Sequence, residues 1–329
     1  MAQMVGAELG LEAIAPIGHR AIRNWHIVRR AIQNAAKPLR KWSKAAISTA
    51  LENGPSGKSR RCEERNYMTG ISVKDLGPEY KFGSIVHGVT WDTLKDEAVR
   101  QQLRDIFEDR GLIVFEGVEA SGKMQAELSK VFGPLKDHPT STTPRVTEDY
   151  VPGLIDMHSQ PRDISNGDLR GLVKKNGKIL TRYSPWHFDH CYNDELNLAG
   201  VLRVVKNSPE GGRTGFADGV TIYKDFDPEL RAKIEGINVI YTLDTRLTTM
   251  RFGRDFETFG DVPGMQKVVE EAKVFPRAMH PAVFEHPTNG EKVLHIGPWM
   301  SVGLEHHEDA EGEALFEAAC QELNKRAYA

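Results

Sequence analysis

The chain has 329 residues, 40% of them hydrophobic, and a net charge of −3. That length allows one large domain or two small ones with a sizeable core, and no apolar run reaches the ~20 residues of a membrane-spanning helix. Three widely separated cysteines, Cys62, Cys191 and Cys320, exclude a disulfide framework and point to a reducing, cytoplasmic setting.

The small net charge hides an asymmetry. Residues 1–67 hold 12 Lys and Arg against 5 Asp and Glu, and the remainder carries −10. The break falls in the linker-like run Asn53-Gly54-Pro55-Ser56-Gly57. Within the basic head, residues 19–51 read as a helix in which Ile22, Trp25, Ile27, Val28, Ala31 and Ile32 interleave with Arg23, Arg29 and Arg30. A nucleic-acid or anionic-membrane surface and a transit peptide are open readings of it. The reading adopted is a flexible or non-native basic extension, residues 1–67, with Met68 opening the folded unit, residues 68–329. No aromatic-interleaved module accompanies the basic stretch, which argues against a nucleic-acid partner.

Beyond Met68, residues 81–89 alternate as a short strand does. Asp92 reads as the N-cap of a helix with an apolar stripe of Val99, Leu103, Ile106 and Phe107, stopped at Gly111. Residues 112–115 follow as a buried strand, then a helix at 121–132 that closes at Gly133-Pro134. Residues 137–185 read as a long loop, a feature that in a compact domain is functional or disordered. Strands are expected at 196–205, 214–217 and 239–243, a helix within 223–234 opened by Asp227-Pro228, and a hairpin joining 282–284 to 292–296 through Pro287-Thr288-Asn289-Gly290. From Asp309 the chain is helical, with Leu315, Ala319 and Leu323 on one face beside Phe316 and Cys320. Short strands without regular β–α alternation predict a mixed α/β fold: a double-stranded β-helix (jelly roll, cupin-like) core with flanking helices.

The chemistry concentrates in Trp186-His187-Phe188-Asp189. On a strand, residues two apart share a face, so His187 and Asp189 would project together, while His190 would point away and Cys191 would line the same face. A neutral imidazole with a carboxylate suits a borderline metal such as Fe(II). A His-x-Asp triplet alone is weak, because a surface His beside a turn Asp is the commoner arrangement. Three further segments strengthen it: Arg110-Gly111-Leu112-Ile113-Val114-Phe115; Phe132-Gly133-Pro134-Leu135 with His138-Pro139; and His280-Pro281 with His286-Pro287 and Gly290. Gly211-Gly212-Arg213-Thr214 follows the triplet.

Taken in this order, these segments resemble the TauD/TfdA family of Fe(II)- and 2-oxoglutarate-dependent dioxygenases over about residues 71–325. The resemblance implies that His187 and Asp189 are two legs of an iron-binding facial triad. It further implies that Thr214 hydrogen-bonds a carboxylate of 2-oxoglutarate, and that His138 and Tyr183 face the primary substrate. His280 and His286 resemble framework residues. The implied reaction consumes O2 and 2-oxoglutarate, releases succinate and CO2, and hydroxylates a small organic substrate. Arg246, Arg251 and Arg254, in a loop at 244–265, hint that this substrate is anionic.

The family's second ligand His, in a Trp-Asp-Asn-Arg-x-x-x-His type segment, and its 2-oxoglutarate-binding Arg would fall past Ala329, and no Trp-Asp-Asn occurs after Asp189. The expectation is therefore a domain that stops before the last jelly-roll strands. His295, His306 and His307 are the substitutes within reach of the sequence, and nothing in their spacing recommends them. An impaired family member serving as a binding or oligomerisation module is the alternative function. A homo-oligomer is compatible with either.

Overall fold

The computed structural model describes residues 3–8, 24–29, 65–66, 70–146, 151, 153–157, 164–181, 183–207 and 212–327, the first three stretches through their backbone alone. In chain order the strands are β1 (Gln3–Glu8), β2 (Asn24–Arg29), β3 (Arg65–Asn66), β4 (Ser72–Asp75) and β5 (Ser84–His87). Helix α1 (Glu97–Arg110), strand β6 (Leu112–Glu116) and helix α2 (Gly122–Ser129) follow. Then come β7 (Val173–Lys175), β8 (Lys178–Leu180), β9 (Tyr183–Ser184), β10 (Ala199–Arg203) and β11 (Arg213–Asp218). Next are α3 (Gly219–Asp225), α4 (Pro228–Ile234), β12 (Asn238–Tyr241), β13 (Glu257–Thr258) and α5 (Gln266–Ala272). The chain continues through β14 (Ala278–Pro281), β15 (Val283–Glu285), β16 (Lys292–Leu294), β17 (Ser301–Leu304) and α6 (Ala310–Ala327).

The strands form separate sheets in a mixed α/β fold, and no closed barrel occurs among the described residues. A six-stranded sheet runs β10-β2-β6-β5-β4-β3, and smaller ones run β11-β1-β9, β14-β12-β17, β13-β7-β8 and β15-β16. The pairs are antiparallel except β5 and β6, which run parallel and are joined through α1. The head contributes directly: β1 pairs with β11 from Gln3 opposite Asp218 to Glu8 opposite Arg213 and meets β9 on its other edge, while β2 lies between β6 and β10. Residues 24–29 are therefore strand and not the start of the expected basic helix. The β-branched and aromatic residues of Asn24-Trp25-His26-Ile27-Val28-Arg29 suit a paired strand, and two partners are at hand for them. Residues 19–23 and 30–51, the rest of that expected helix, lie outside the described residues.

Helix α1 buries Val99, Leu103, Ile106 and Phe107, the stripe its spacing predicts, and stops at Gly111 with φ 70°. Its cap is Asp96, whose carboxylate accepts from Ala98 N at 2.8 Å. Asp92, the expected cap, instead binds Lys95 Nζ at 2.7 Å and precedes a single 3-10 turn. Helix α1 and strands β4–β6 enclose one core, which includes Val86, Val99, Leu103, Ile113, Phe115 and Met124, all at or near zero exposure. Each such side chain contributes about 1.5–3 kcal/mol of burial.

A second core gathers Trp186, Phe188, Tyr241, Leu294, Ile296, Phe316 and Leu323. Helix α6 closes it with the predicted face, and Gly312 is required there because a Cβ would strike His307 O. The expected loop at 137–185 contains β7, β8 and β9, each too short to leave a periodic signal. Helix α3, capped by Asp218 through the amides of Val220 and Thr221, was also absent from the expected elements. Among the described residues no helix is long and apolar enough to cross a membrane.

Candidate metal centre

The His-x-Asp triplet sits on a turn that follows β9, not on a strand as its spacing suggested. Pro185 ends the strand, and His190 adopts a left-handed φ of 60°. Convergence of His187 and Asp189 comes from this turn: His187 Nε2 lies 3.4 Å from Asp189 Oδ1. Between them Phe188 points into the second core, stacked on His295 at a 4.0 Å centroid distance and edge-on to Tyr241 at 5.1 Å. A buried aromatic peg thus anchors the turn and leaves its two neighbours free to meet.

The ring of His187 is held on both sides. Its Nδ1–H donates to Pro185 O at 2.8 Å, which leaves the Nε2 lone pair beside the Asp189 carboxylate. Trp299 stands against the ring in a T-shaped contact, centroids 4.8 Å apart. His187 is 8% exposed, whereas the Asp189 side chain is 62% exposed. A Cβ on Gly200 of β10 would come within 3.9 Å of Asp189 Oδ2, so that strand backs the carboxylate.

An imidazole nitrogen and a carboxylate oxygen at this separation fit two positions of a borderline divalent metal. Among the described residues no three His, Cys, Asp or Glu side chains come together as a metal-binding group. His295 is buried against Phe188, and His306 and His307 are exposed beyond β17, so the structure brings none of the three considered substitutes to the pair. The side chains of His19, His26 and His158 lie outside the described residues.

The other expected site residues are distributed unevenly. His138 is close by: its ring packs at 5.1 Å on His190. Its Nδ1 accepts from Thr140 N at 3.2 Å, and its Nε2–H donates to Tyr192 Oη at 3.3 Å. Burial, then the Arg145 guanidinium, lowers the pKa of His138, against the opposing pull of Asp189. The imidazole is accordingly held neutral near pH 7. Burial, with Cys191 and Asp189 nearby, pushes the pKa of the Tyr192 phenol upward and keeps it protonated.

Tyr183 is buried, and its hydroxyl lies 2.9 Å from Lys175 Nζ, which also pairs with Asp255. Thr214 is exposed on β11, and β1 stands between that strand and β9. Strand alternation does not govern His190 and Cys191, because the turn breaks it: His190 packs on His138, and Cys191 is fully buried with its carbonyl accepting from His280 Nε2 at 2.9 Å. His286 Nδ1 accepts from the amides of Thr288 and Asn289 and so ties the β15–β16 hairpin.

A cleft of about 260 Å³ lies between the end of β12 and α5, lined by Thr242, Asp244, Arg246, Met265, Val269 and Lys273 among others. It shares a wall with the site, since Thr242 N–H donates to Met300 O, the residue after Trp299. Of the three arginines expected here, Arg246 forms a two-point ion pair with Asp244, and Arg251 pairs with Glu313. Arg254 lies over the Phe256 ring at 5.5 Å. Sequence reasoning missed Trp299, Gly297, Tyr192 and Lys175. The only local signal among them was the Gly297-Pro298 break.

The family model described as "Taurine catabolism dioxygenase TauD, TfdA family" matches residues 72–329. The alpha-ketoglutarate-dependent 2,4-dichlorophenoxyacetate dioxygenase of Cupriavidus pinatubonensis is 23% identical over 231 residues, covering 69% of this chain and 74% of the relative. The (S)-phenoxypropionate/alpha-ketoglutarate-dioxygenase of Sphingobium herbicidovorans is 26% identical over 259 residues, covering 75% of this chain and 79% of the relative. A solved structure from Burkholderia xenovorans, assigned as an alpha-ketoglutarate dependent 2,4-D dioxygenase, shares the fold with a TM-score of 0.50 at 17% identity, covering 79% of this chain and 80% of that one. The match from β4 to the end of α6 shows that the chain belongs to the TauD/TfdA family of dioxygenases.

Proposed function

We propose that this chain is an Fe(II)- and 2-oxoglutarate-dependent oxygenase that hydroxylates a small, anionic organic substrate. The observation that carries the reading is the pairing of His187 Nε2 with Asp189 Oδ1 at 3.4 Å, with the His187 tautomer fixed by Pro185 O, in a chain of this family. His187 and Asp189 would hold the metal. When bound, ferrous iron with 2-oxoglutarate supplies the oxidising power that places one atom of O2 on the substrate, the other leaving in succinate as CO2 is released.

The protein's own residues do the rest. Phe188 fixes the turn, and the buried side of His187 excludes water behind the metal position. The exposed side of Asp189 leaves an approach for ligands. His138, neutral and linked to Tyr192, would orient the substrate, and Thr214 would meet the co-substrate carboxylate. Tyr183 takes the substrate side of β9, its hydroxyl set by Lys175. The relatives named for phenoxyacetate and phenoxypropionate support an anionic substrate.

In the same reading, the small antiparallel sheets around the turn belong to a double-stranded β-helix core. Residues 68–329 are then the dioxygenase unit, and residues 1–67 an extension whose described strands add to its sheets. The reading is tested by anaerobic titration of the full chain with Fe(II) and 2-oxoglutarate, followed by O2 and measurement of succinate. Binding of both with succinate release is expected, and failure to bind metal overturns it.

A second reading rests on one observation, that no three metal-binding side chains converge among the described residues. It makes the chain a binding or oligomerisation module that keeps the fold without turnover. Tight binding of 2-oxoglutarate or metal with no succinate release would favour it.

A further inference from the structure

The segment from His295 to Ser301 is braced against the turn that carries His187. Trp299 N–H donates to Trp186 O at 3.3 Å, and Gly297 N–H donates to Tyr241 Oη at 3.0 Å. Ser301 Oγ donates to Pro298 O at 2.7 Å, and Thr242 N–H to Met300 O at 3.0 Å. A Cβ at Gly297 would sit 3.2 Å from His187 Cα, so a side chain there would press on the His187 backbone and push the two segments apart by a few tenths of an ångström. Met300, buried, holds a φ of 67°. A non-glycine residue persists in that region only where its surroundings over-determine it, and such positions gather at functional sites.

What this bracing fixes is Trp299. Its indole makes an 85° T-shaped contact with the His187 imidazole. It also packs on the cluster of Val173, Leu180, Tyr183, Met250 and Phe256, and so joins the metal-side turn to the Tyr183 side of the site. Its Nε1 is buried and has no acceptor among the described residues. An unpaired buried donor is costly, and an indole N–H can only donate. An acceptor that arrives with a ligand would satisfy it, and the indole ring already stands against His187.

We propose that Trp299 is a binding residue of this site: its ring holds the His187 imidazole in place, and its indole N–H is given to a carboxylate oxygen of 2-oxoglutarate bound beside His187. This rests on the oxygenase reading, and the test separates the two. The full chain is loaded anaerobically with Mn(II) or Zn(II), and metal and 2-oxoglutarate affinities are measured by calorimetry for the wild type and Trp299→Phe. The variant keeps an aromatic ring against His187 and loses the N–H. Metal affinity is expected within about twofold of wild type, with 2-oxoglutarate bound ~10-fold or more weakly.

A second measurement needs no variant to fold. In Zn(II)-loaded wild-type protein labelled with 15N-tryptophan, one of the five indole N–H resonances is expected to move downfield on adding 2-oxoglutarate. Wild type that binds both ligands overturns the Trp299 assignment if Trp299→Phe binds 2-oxoglutarate equally well, or if no indole resonance moves. Wild type that binds neither ligand overturns the oxygenase reading and this assignment with it.

Discussion

The region around α1 and the region around the His187 turn are both well packed, yet they bury different chemistry. Between Ile71 and Phe132 the core is apolar, and Ser84 is the single buried polar side chain there. Around the turn five histidines are buried: His187, His190, His280, His286 and His295. A core of the first kind stabilises by exclusion of water alone. A core of the second kind spends stability on desolvated polar groups, which persist when each has a use or a partner. The first region is therefore the scaffold, and the second is where substitutions should separate stability from binding.

The hardest test of that division is Phe115→Ala, which empties a fully buried position of the scaffold. It is expected to cost about 3–5 kcal/mol in chemical denaturation while leaving the metal affinity of the folded protein unchanged. A shift in metal affinity would break the division. Lys175→Met comes next. The Lys175 side chain is almost wholly buried and paired with Asp255, itself about one third exposed. Removing the cation takes from the Asp255 carboxylate its buried counter-charge and leaves it the Tyr183 hydroxyl alone of the two groups described, for a loss of about 3 kcal/mol.

His187→Ala inverts the pattern. Its stability cost should be about 1 kcal/mol, the value of one hydrogen bond, while calorimetry should show metal binding weakened by more than ~100-fold. Asp96→Ala returns to the scaffold and removes only the α1 cap, for about 1 kcal/mol in thermal or denaturant unfolding. The smallest effect is a pH dependence. Hydrogen bonds from the Thr142 hydroxyl and from the Ser141 and Thr142 amides hold the Glu271 carboxyl at about 2, against 4.5 ordinarily. A carboxyl lowered in the folded state contributes in full above pH 4.5 and loses that contribution as pH falls through about 2. The protection of the Ser141 and Thr142 amides against hydrogen exchange, taken relative to the intrinsic rate at each pH, should therefore fall across that window in wild type. In Glu271→Gln that protection should stay constant with pH there.

How much of this was legible in the residues depends on the range of the interaction that decides each feature. Helix α6 and the stripe of α1 were readable because 3.6-residue periodicity is a local property, as was the αL stop at Gly111. The start of α1 slipped from Asp92 to Asp96 because Lys95 draws off the first carboxylate, a choice between two nearby caps that composition leaves open. Strand β2 was misread as helix because its two partners, β6 and β10, lie far along the chain. The short strands β7 to β9 carry no period at all.

At the candidate site, the meeting of His187 with Asp189 was foreseen for the wrong reason: a turn, and not strand alternation, brings them together. The role of Thr214 rests on the family resemblance and its spacing from the triplet, and the structure sets it on an exposed stretch of β11. Trp299 could not be found from sequence, since its meaning lies in contact with a ring more than a hundred positions earlier.

Strand β1 is the first element of the chain and the middle strand of its sheet, flanked by residues 183–184 and 213–218. A ribosome therefore delivers the centre of this sheet long before either edge exists. Closing such distant pairs costs loop entropy before any bond repays it, so this sheet should be among the last parts of the molecule to assemble, after α1, β6 and α2 have settled locally. Until then residues 3–8 present an open edge, the hour at which the nascent protein is most exposed to pairing with a neighbour.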